Sequence, residues 1–293
     1  LSDKHYLITG ATDGIGRATA DALAKGSATV VLVGRNPDKL NRVVEAIKAE
    51  TYNKNVYGLV ADLSSQSQIR QLAKDYRAQF SRLDVLINNA GGYFYDRQET
   101  VDGIELTFAL NHLAYFMLTG LLLDMLIATG QETGDARIVS VSSEAHRFKR
   151  DSIPFDDLQT TKKYNAMKAY SLSKIGNIMF TYELARRLKG YPVTANALHP
   201  GFVRTGFTRN AHGFSQKIFA MIARFLASSP KDGAKTSLYL ATSDEVRDVS
   251  GKYFAKSNIE ESNDVSLDTD AQQQLWQASL EMTGIDDFPI KAT

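Results

Sequence analysis

Short apolar runs alternate with longer stretches of helical periodicity from the start of the chain to about residue 255. HYLIT, ATVVLV, VYGLVA, DVLIN, ARIVSV, VTANAL and GKYF have the length of strands. Between them, helices are predicted from Gly14, from Pro37, from about Ser65, over the apolar stretch containing LAYFMLTGLLL, around YSLSK, and after Pro230. Near-continuous Val, Ile and Leu suit strands covered on both faces, and their alternation with helices means βαβ units. Asn36 before Pro37 supplies a cap and a proline at the first helical position, while Gly190 and Pro192 close the YSLSK helix. No repeat or low-complexity linker breaks the pattern, so residues 1–293 read as one α/β domain. The expected architecture is a doubly wound parallel sheet of about seven strands with helices on both faces. From about Ile259 the tail (259–293) is polar and acidic until QQQLWQASLEM, a predicted helix whose Trp276 and leucines dock on the body.

Composition narrows the function. A hydrophobic content of 43%, a charged content of 23% and a formal net charge of +1 describe a soluble globular chain with no field for gathering nucleic acid. The basic cluster RFKR at 147–150 is short and isolated, and reads as a solvated loop. The absence of cysteine excludes disulfides, thiolate metal sites and a cysteine nucleophile. The five histidines show no metal-ligand spacing, so no metal is expected, and His112 and His199 are expected to be packed or hydrogen-bonded. Asp124 interrupts the apolar run from Leu113 short of the roughly 18 residues of a membrane span, which predicts a buried core helix. The chain opens at Leu1 without a signal peptide, and a cytoplasmic location is expected, with membrane association only through a removed upstream segment.

The first strand leads directly into TGATDGIGRATADALAK, with Gly10, Gly14 and Gly16 at the strand-to-helix turn. Glycines there allow a tight turn and close backbone approach, and the helix N-terminus offers free N–H groups to a pyrophosphate. The second strand ends at Arg35, where an arginine matches a ribose 2′-phosphate and an acidic residue would match a 2′-hydroxyl; NADP is therefore expected over NAD. The plain alternative for Arg35 is a surface pair with Asp38. Asp62, closing the third strand, can accept from an adenine amino group or cap a helix. NNAGG at 88–92 places small residues and amides at another carboxyl-end turn, where open α/β sheets bind ligands.

Tyr170 and Lys174 lie four apart on one helical face and can reach the same point. A phenol's pKa of about 10 is too high for efficient proton exchange near neutrality. An adjacent ammonium, helped by an oxidised nicotinamide, is expected to lower it. A second donor to the substrate oxygen is expected from Ser143 at the end of the fifth strand, with Ser142 as its neighbour.

Taken in order along the chain, these features resemble the short-chain dehydrogenase/reductases over nearly all of residues 4 to 256. TGATDGIG is similar to that family's TGxxxGIG motif and YSLSK to its YxxxK motif. The resemblance implies a Rossmann-type fold and a catalytic tetrad of Asn111, Ser143, Tyr170 and Lys174, the asparagine supporting a water that links the lysine to solvent. It implies cofactor contacts from Gly10, Thr12, Asp13, Gly14, Ile15, Gly16, Arg35, Asp62, Leu63, Asn89, Ala90, Gly91, Tyr170, Lys174, Pro200, Gly201, Val203 and Thr205. ELARRLKGYPVTANALHPGFVRT, the segment SPKDGAKTSLYLATSDEVRDVSGKYF and the long gap before Tyr170 resemble the branch of retinol dehydrogenases and WW-domain-containing oxidoreductases. Asp13 departs from it, standing where some NADP-using relatives carry a basic residue. The implied activity is NADP(H)-dependent interconversion of an alcohol and a carbonyl on a small lipophilic molecule, retinoid-like or steroid-like. Substrate contacts are expected from GGYFYD, from HRFKRDSIPFDDL, and from an aromatic lid at about 202–229. Peripheral membrane contact through that lid and a homodimer are both compatible with the sequence. Rival readings are a C=C reductase, which the lack of cysteine disfavours, and a non-catalytic NADP-binding module.

Overall fold

The computed structural model describes residues 3–148, 152–201, 229–286 and 288–290. Strands β1 (His5–Thr9), β2 (Thr29–Gly34), β3 (Val56–Val60), β4 (Val85–Asn88), β5 (Ala136–Val141), β6 (Val193–His199) and β7 (Tyr253–Ala255) are parallel, in the order β3-β2-β1-β4-β5-β6-β7. The order reverses direction between β1 and β4, which opens a crevice at their carboxyl ends. An eighth strand, β8 (Asn258–Glu260), pairs antiparallel with β7, so the sheet has eight strands where about seven were expected. The hairpin turns on Lys256 and Ser257, both at positive φ (49° and 63°). That conformation is usual for Asn-Gly, which is why Lys-Ser gave no turn signal.

Each strand splits its side chains between two cores. Leu7, Val31 and Val33 face one layer with Tyr76, Phe116, Phe180 and Trp276, while Tyr6, Ile8, Val30 and Leu32 face the other with Leu23, Leu40, Val44 and Leu240. Helices α1 (Gly14–Lys25) and α2 (Pro37–Thr51) begin where their caps predict: Asp13 accepts from Gly14 N, and Asn36 from Lys39 N ahead of Pro37. Helix α3 (Gln66–Gln79) follows Ser65. A continuous helical stretch then contains α4 (Leu106–Phe108), a π-helical turn (Ala109–Leu113) and α5 (Ala114–Thr133). By length and a mean hydropathy of 1.7 it could cross a membrane, but 83% of its most apolar window is buried inside the body, as a core helix. Helix α6 (Ala166–Arg187) carries the tyrosine and lysine, and α7 (Pro230–Thr242) starts from a Ser229 cap. Ser229 is the only described part of the expected lid; the rest, with Val203 and Thr205, lies outside the described residues.

The tail returns to the body. Helix α8 (Thr269–Thr283) inserts Trp276, 2% exposed, among Phe116, Phe180 and Phe288 at ring centroid distances of 5.0, 5.9 and 4.5 Å, with the Arg187 guanidinium 4.3 Å over its ring. Truncating so large a buried aromatic leaves a cavity, so Trp276→Ala is expected to lower unfolding free energy by about 3–5 kcal/mol. Urea titration followed by circular dichroism checks this, and a change under about 1 kcal/mol would show that α8 is dispensable to the fold.

Candidate active site

The loops after β1 and β4 are tied together by one hydroxyl. Thr9 Oγ1 accepts from the consecutive N–H groups of Asn89 (2.8 Å) and Ala90 (3.0 Å), and Asn89 Nδ2 donates to Thr9 O at 2.8 Å. Gly10 (φ 65°) consequently lies so close that a Cβ on it would meet Ala90 Cα at 2.8 Å. A Cβ on Gly16 would stand 2.4 Å from Gly10 O and 2.5 Å from Asn89 Nδ2, so only glycine closes this turn onto the first turn of α1. Gly14 (φ 53°) completes it. Thr12 packs against Gly34, where a Cβ would meet its Cγ2 at 2.5 Å, and Ile15 is buried against the body. This is the tight turn expected from the glycine spacing.

Arg35 follows β2 and is exposed; among the described residues it forms no ion pair with Asp38. A second cation, not anticipated from the motifs, follows in the first turn of α2. Lys39 Nζ lies 3.0 Å from Asp13 Oδ2 and offsets the negative charge placed at the mouth of the cradle. Its signal was available, since Lys39 falls in the first turn of the helix that Asn36 and Pro37 announce. Asp62 Oδ1 accepts from Ser64 N (2.9 Å) and Ser64 Oγ (2.7 Å), a turn-capping role, and the adjoining Leu63 is buried.

At the carboxyl ends of β4 and β5 four further side chains converge. Asn111, fully buried in the π-helical turn, accepts from Gly92 N (2.8 Å) and donates to Gly92 O (2.9 Å) and Ser173 Oγ (3.0 Å). Its own carbonyl accepts from Asn177 Nδ2 at 2.9 Å. A π turn in a helix that positions site residues is a recurring arrangement. Lys174 Nζ donates to Val141 O at 3.1 Å. A Cβ on Gly91 would sit 3.0 Å from Asn111 Oδ1 and 3.5 Å from Lys174 Nζ, so Gly91 is the gap between them. The two serines separate cleanly. Ser142, 2% exposed, spends its hydroxyl on Lys174 O at 2.7 Å, whereas Ser143 hydrogen-bonds the Tyr170 hydroxyl.

The ionisation of the pair differs from the expectation of a phenol made acidic by its lysine. Burial pushes Tyr170 up to about 12 against the opposing effect of the Ser143 hydrogen bond, and burial alone pushes Lys174 down to about 7. Desolvation penalises both charged forms, and Lys174 Nζ is 5.7 Å from the Tyr170 ring centroid. His112 is fully buried between Asn177 and Ser279 and pushed down to about 4, a neutral packed histidine as expected.

Tyr93, from the expected substrate loop, packs edge-on against Tyr170 at 5.6 Å and against Tyr95 at 5.0 Å. The insertion before α6 pins that loop through Tyr164 OH, which donates to Phe94 O at 2.7 Å. Pro200 and Gly201 (φ 80°) follow β6, with Gly201 N donating to His199 Nδ1 at 3.0 Å. Glu144, His199 and Glu260 approach one another at the metal-ligand scale, but Arg147 lies against both carboxylates. A groove of about 840 Å³ between the end of α6 and the β6–β8 edge, lined by Tyr182, Tyr191 and Tyr253, includes none of the expected site residues.

Comparison with known proteins shows the family. The family profile described as short chain dehydrogenase matches residues 4–155 and 157–214. The chain belongs to the short-chain dehydrogenase family. Within it, human retinol dehydrogenase 13 is 40% identical over 291 residues, covering 98% of this chain and 86% of the relative. Human polyprenol dehydrogenase is 39% identical over 290 residues, covering 98% and 87%. A crystal structure described as a short-chain dehydrogenase from Shigella flexneri complexed with NADP superposes with a TM-score of 0.67 at 28% identity, covering 88% of this chain and 98% of that one. The chain is thus an oxidoreductase of the retinol dehydrogenase branch.

The buried lysine has a thermodynamic consequence in this dehydrogenase. With an ordinary value of 10.5 and a folded value of about 7, it makes the unfolded chain hold a proton that the folded chain has released. Stability from this group therefore rises with pH across that window. Lys174→Met removes the slope. Its advantage over the parent protein is expected to be largest at about pH 6 and smallest near pH 10, read from urea midpoints. A constant difference at all pH values would contradict the displaced ionisation.

Proposed function

We propose that the protein is an NADP(H)-dependent oxidoreductase that interconverts an alcohol and a carbonyl on a small lipophilic molecule, with Tyr170 as the acid/base. The carrying observation is the convergence of Ser143, Tyr170 and Lys174 at the strand ends beside the glycine turn. A nicotinamide nucleotide, when bound, supplies or accepts the hydride. The residues fit such a group: Gly10, Gly14 and Gly16 leave no Cβ in the cradle, and the α1 N-terminus favours a pyrophosphate. Exposed Arg35 suits a ribose 2′-phosphate, and Lys39 offsets the Asp13 carboxylate that would otherwise oppose it. Thr12, Asp62, Leu63, Asn89, Ala90, Gly91, Pro200 and Gly201 border the same crevice in this reading.

The chain's own residues do the proton work. In the reducing direction the substrate oxygen gains negative charge; Tyr170, protonated at neutral pH, gives it a proton while the Ser143 hydroxyl helps hold it. In the oxidising direction Tyr170 must take that proton back, and the charge of Lys174 favours the phenolate. Asn111 fixes the loop at Gly92 that faces Lys174. Tyr93 and its aromatic neighbours supply an apolar approach, which fits an isoprenoid alcohol of the kind named in the polyprenol and retinol dehydrogenase relatives.

Tyr170→Phe is expected to leave NADPH binding intact and cut carbonyl reduction by about 10²–10⁴-fold. Steady-state absorbance of the reduced cofactor measures it, and near-normal turnover would locate the proton donor elsewhere. Arg35→Asp is expected to move the NADPH/NADH ratio of kcat/KM toward NADH by about ten- to a hundredfold. An unchanged ratio would detach Arg35 from cofactor choice.

A further inference from the structure

Lys174 is only 4% exposed, and its ammonium bonds the main-chain carbonyl of Val141. Among the described residues no carboxylate pairs with it, and burial is the single cause of its displaced ionisation. What surrounds it is aromatic. The ring of Tyr170 from α6 and the ring of Tyr115 from α5 both have centroids 5.7 Å from Lys174 Nζ. Tyr115 is 1% exposed, and its hydroxyl is one of the buried groups with no hydrogen-bond partner among the described residues. A buried hydroxyl without a partner is a cost that a leucine or phenylalanine core position does not carry. The cost falls on the hydroxyl alone, and the contact with Lys174 is made by the ring.

We propose that Tyr115 is a positioning residue of the active site: its ring and that of Tyr170 form two walls that hold the Lys174 ammonium between Gly91 and the end of β5. The negative face of an aromatic ring attracts a cation most strongly where water is excluded, and Lys174 lies in such a place. Tyr115 thereby favours the charged form of the lysine against its burial and aims it, and acts on the reaction only through it. The titratable groups around Lys174 are Tyr115 on α5, Tyr170 on α6 and, beyond Tyr170, Tyr93 after β4; β5 contributes main chain and Ser142. His112, on the π turn, faces Asn177 and Ser279 instead. The inference rests on the reading above in which Lys174 supports Tyr170.

The test is a 13C NMR titration of lysine Cε in the nucleotide-free protein, with Lys174→Met assigning the signal. Tyr115→Leu is expected to lower the Lys174 midpoint by about one pH unit, and Tyr115→Phe, which keeps the ring, to leave it within about 0.3. The alkaline limb of kcat/KM for carbonyl reduction is expected to move with the midpoint. A folded Tyr115→Leu protein with an unmoved midpoint, whatever its rate, assigns Tyr115 to the core alone and overturns the proposal. Should Tyr115→Leu not fold, Tyr115→Met carries the same comparison. If the midpoints shift as expected while Lys174→Met turns over normally, the role of Tyr115 at the lysine stands and the acid/base reading fails.

Discussion

The site depends on the hydroxyl of Thr9. By accepting two consecutive backbone N–H groups at the end of β4, it locks the Asn89–Ala90 loop against the turn after β1. Every other dimension of the crevice follows from that closeness. Gly10 and Gly16 have no room for a side chain because Ala90 and Asn89 are already there, and the start of α1 is thereby brought beside the loop that carries Gly91 and Gly92. Asn111 then clasps Gly92 through both its N–H and its C=O, and Lys174 occupies the space that Gly91 leaves. A chain of contacts between main-chain groups and short side chains connects the glycine turn to the Tyr170–Lys174 pair.

Charge is handled by different means in different parts of the molecule. At the amino-terminal end of the sheet, Arg137 is 2% exposed yet fully engaged, gripping Asp135 with two nitrogens and the carbonyls of Leu240 and Ser243 with a third. Such an ion pair is held by its hydrogen bonds and fixes β5 to α7. At the opposite end Lys174 has one carbonyl and two rings. The contrast separates a structural cation, fully compensated, from one left poised to change.

Much of this was legible in the sequence, and the reasons are physical. Strands buried on both faces need unbroken apolar runs, so β1, β2 and β4 to β7 announce themselves, the edge strand β3 keeps an apolar run despite exposing Tyr57 and Val60, and caps such as Asn36-Pro37 mark helix starts. The glycine turn was legible because a steric prohibition leaves a residue type behind. What depends on three-dimensional closeness was not. The β7–β8 hairpin hides behind a Lys-Ser turn, and Asn111 looked like a polar residue in an apolar helix because a π turn has no sequence signature of its own. Ser142 and Ser143 are identical in type, and only their partners separate them. The expected acidity of Tyr170 counted the lysine and a nicotinamide charge but not the burial of the phenol, which raises it against the Ser143 hydrogen bond.

The π turn also constrains how this helix can change. Its widened backbone ring between Ala109 and Leu113 accommodates one more residue than a regular helix would. Removing a single residue there would return the helix to its usual winding with Glu105 and Ala114 keeping their faces, so the loss falls on the turn itself and on the Asn111 clasp of Gly92. The turn thus behaves as an expansion joint: it takes up one residue of length locally and leaves the α5 face that packs in the core undisturbed.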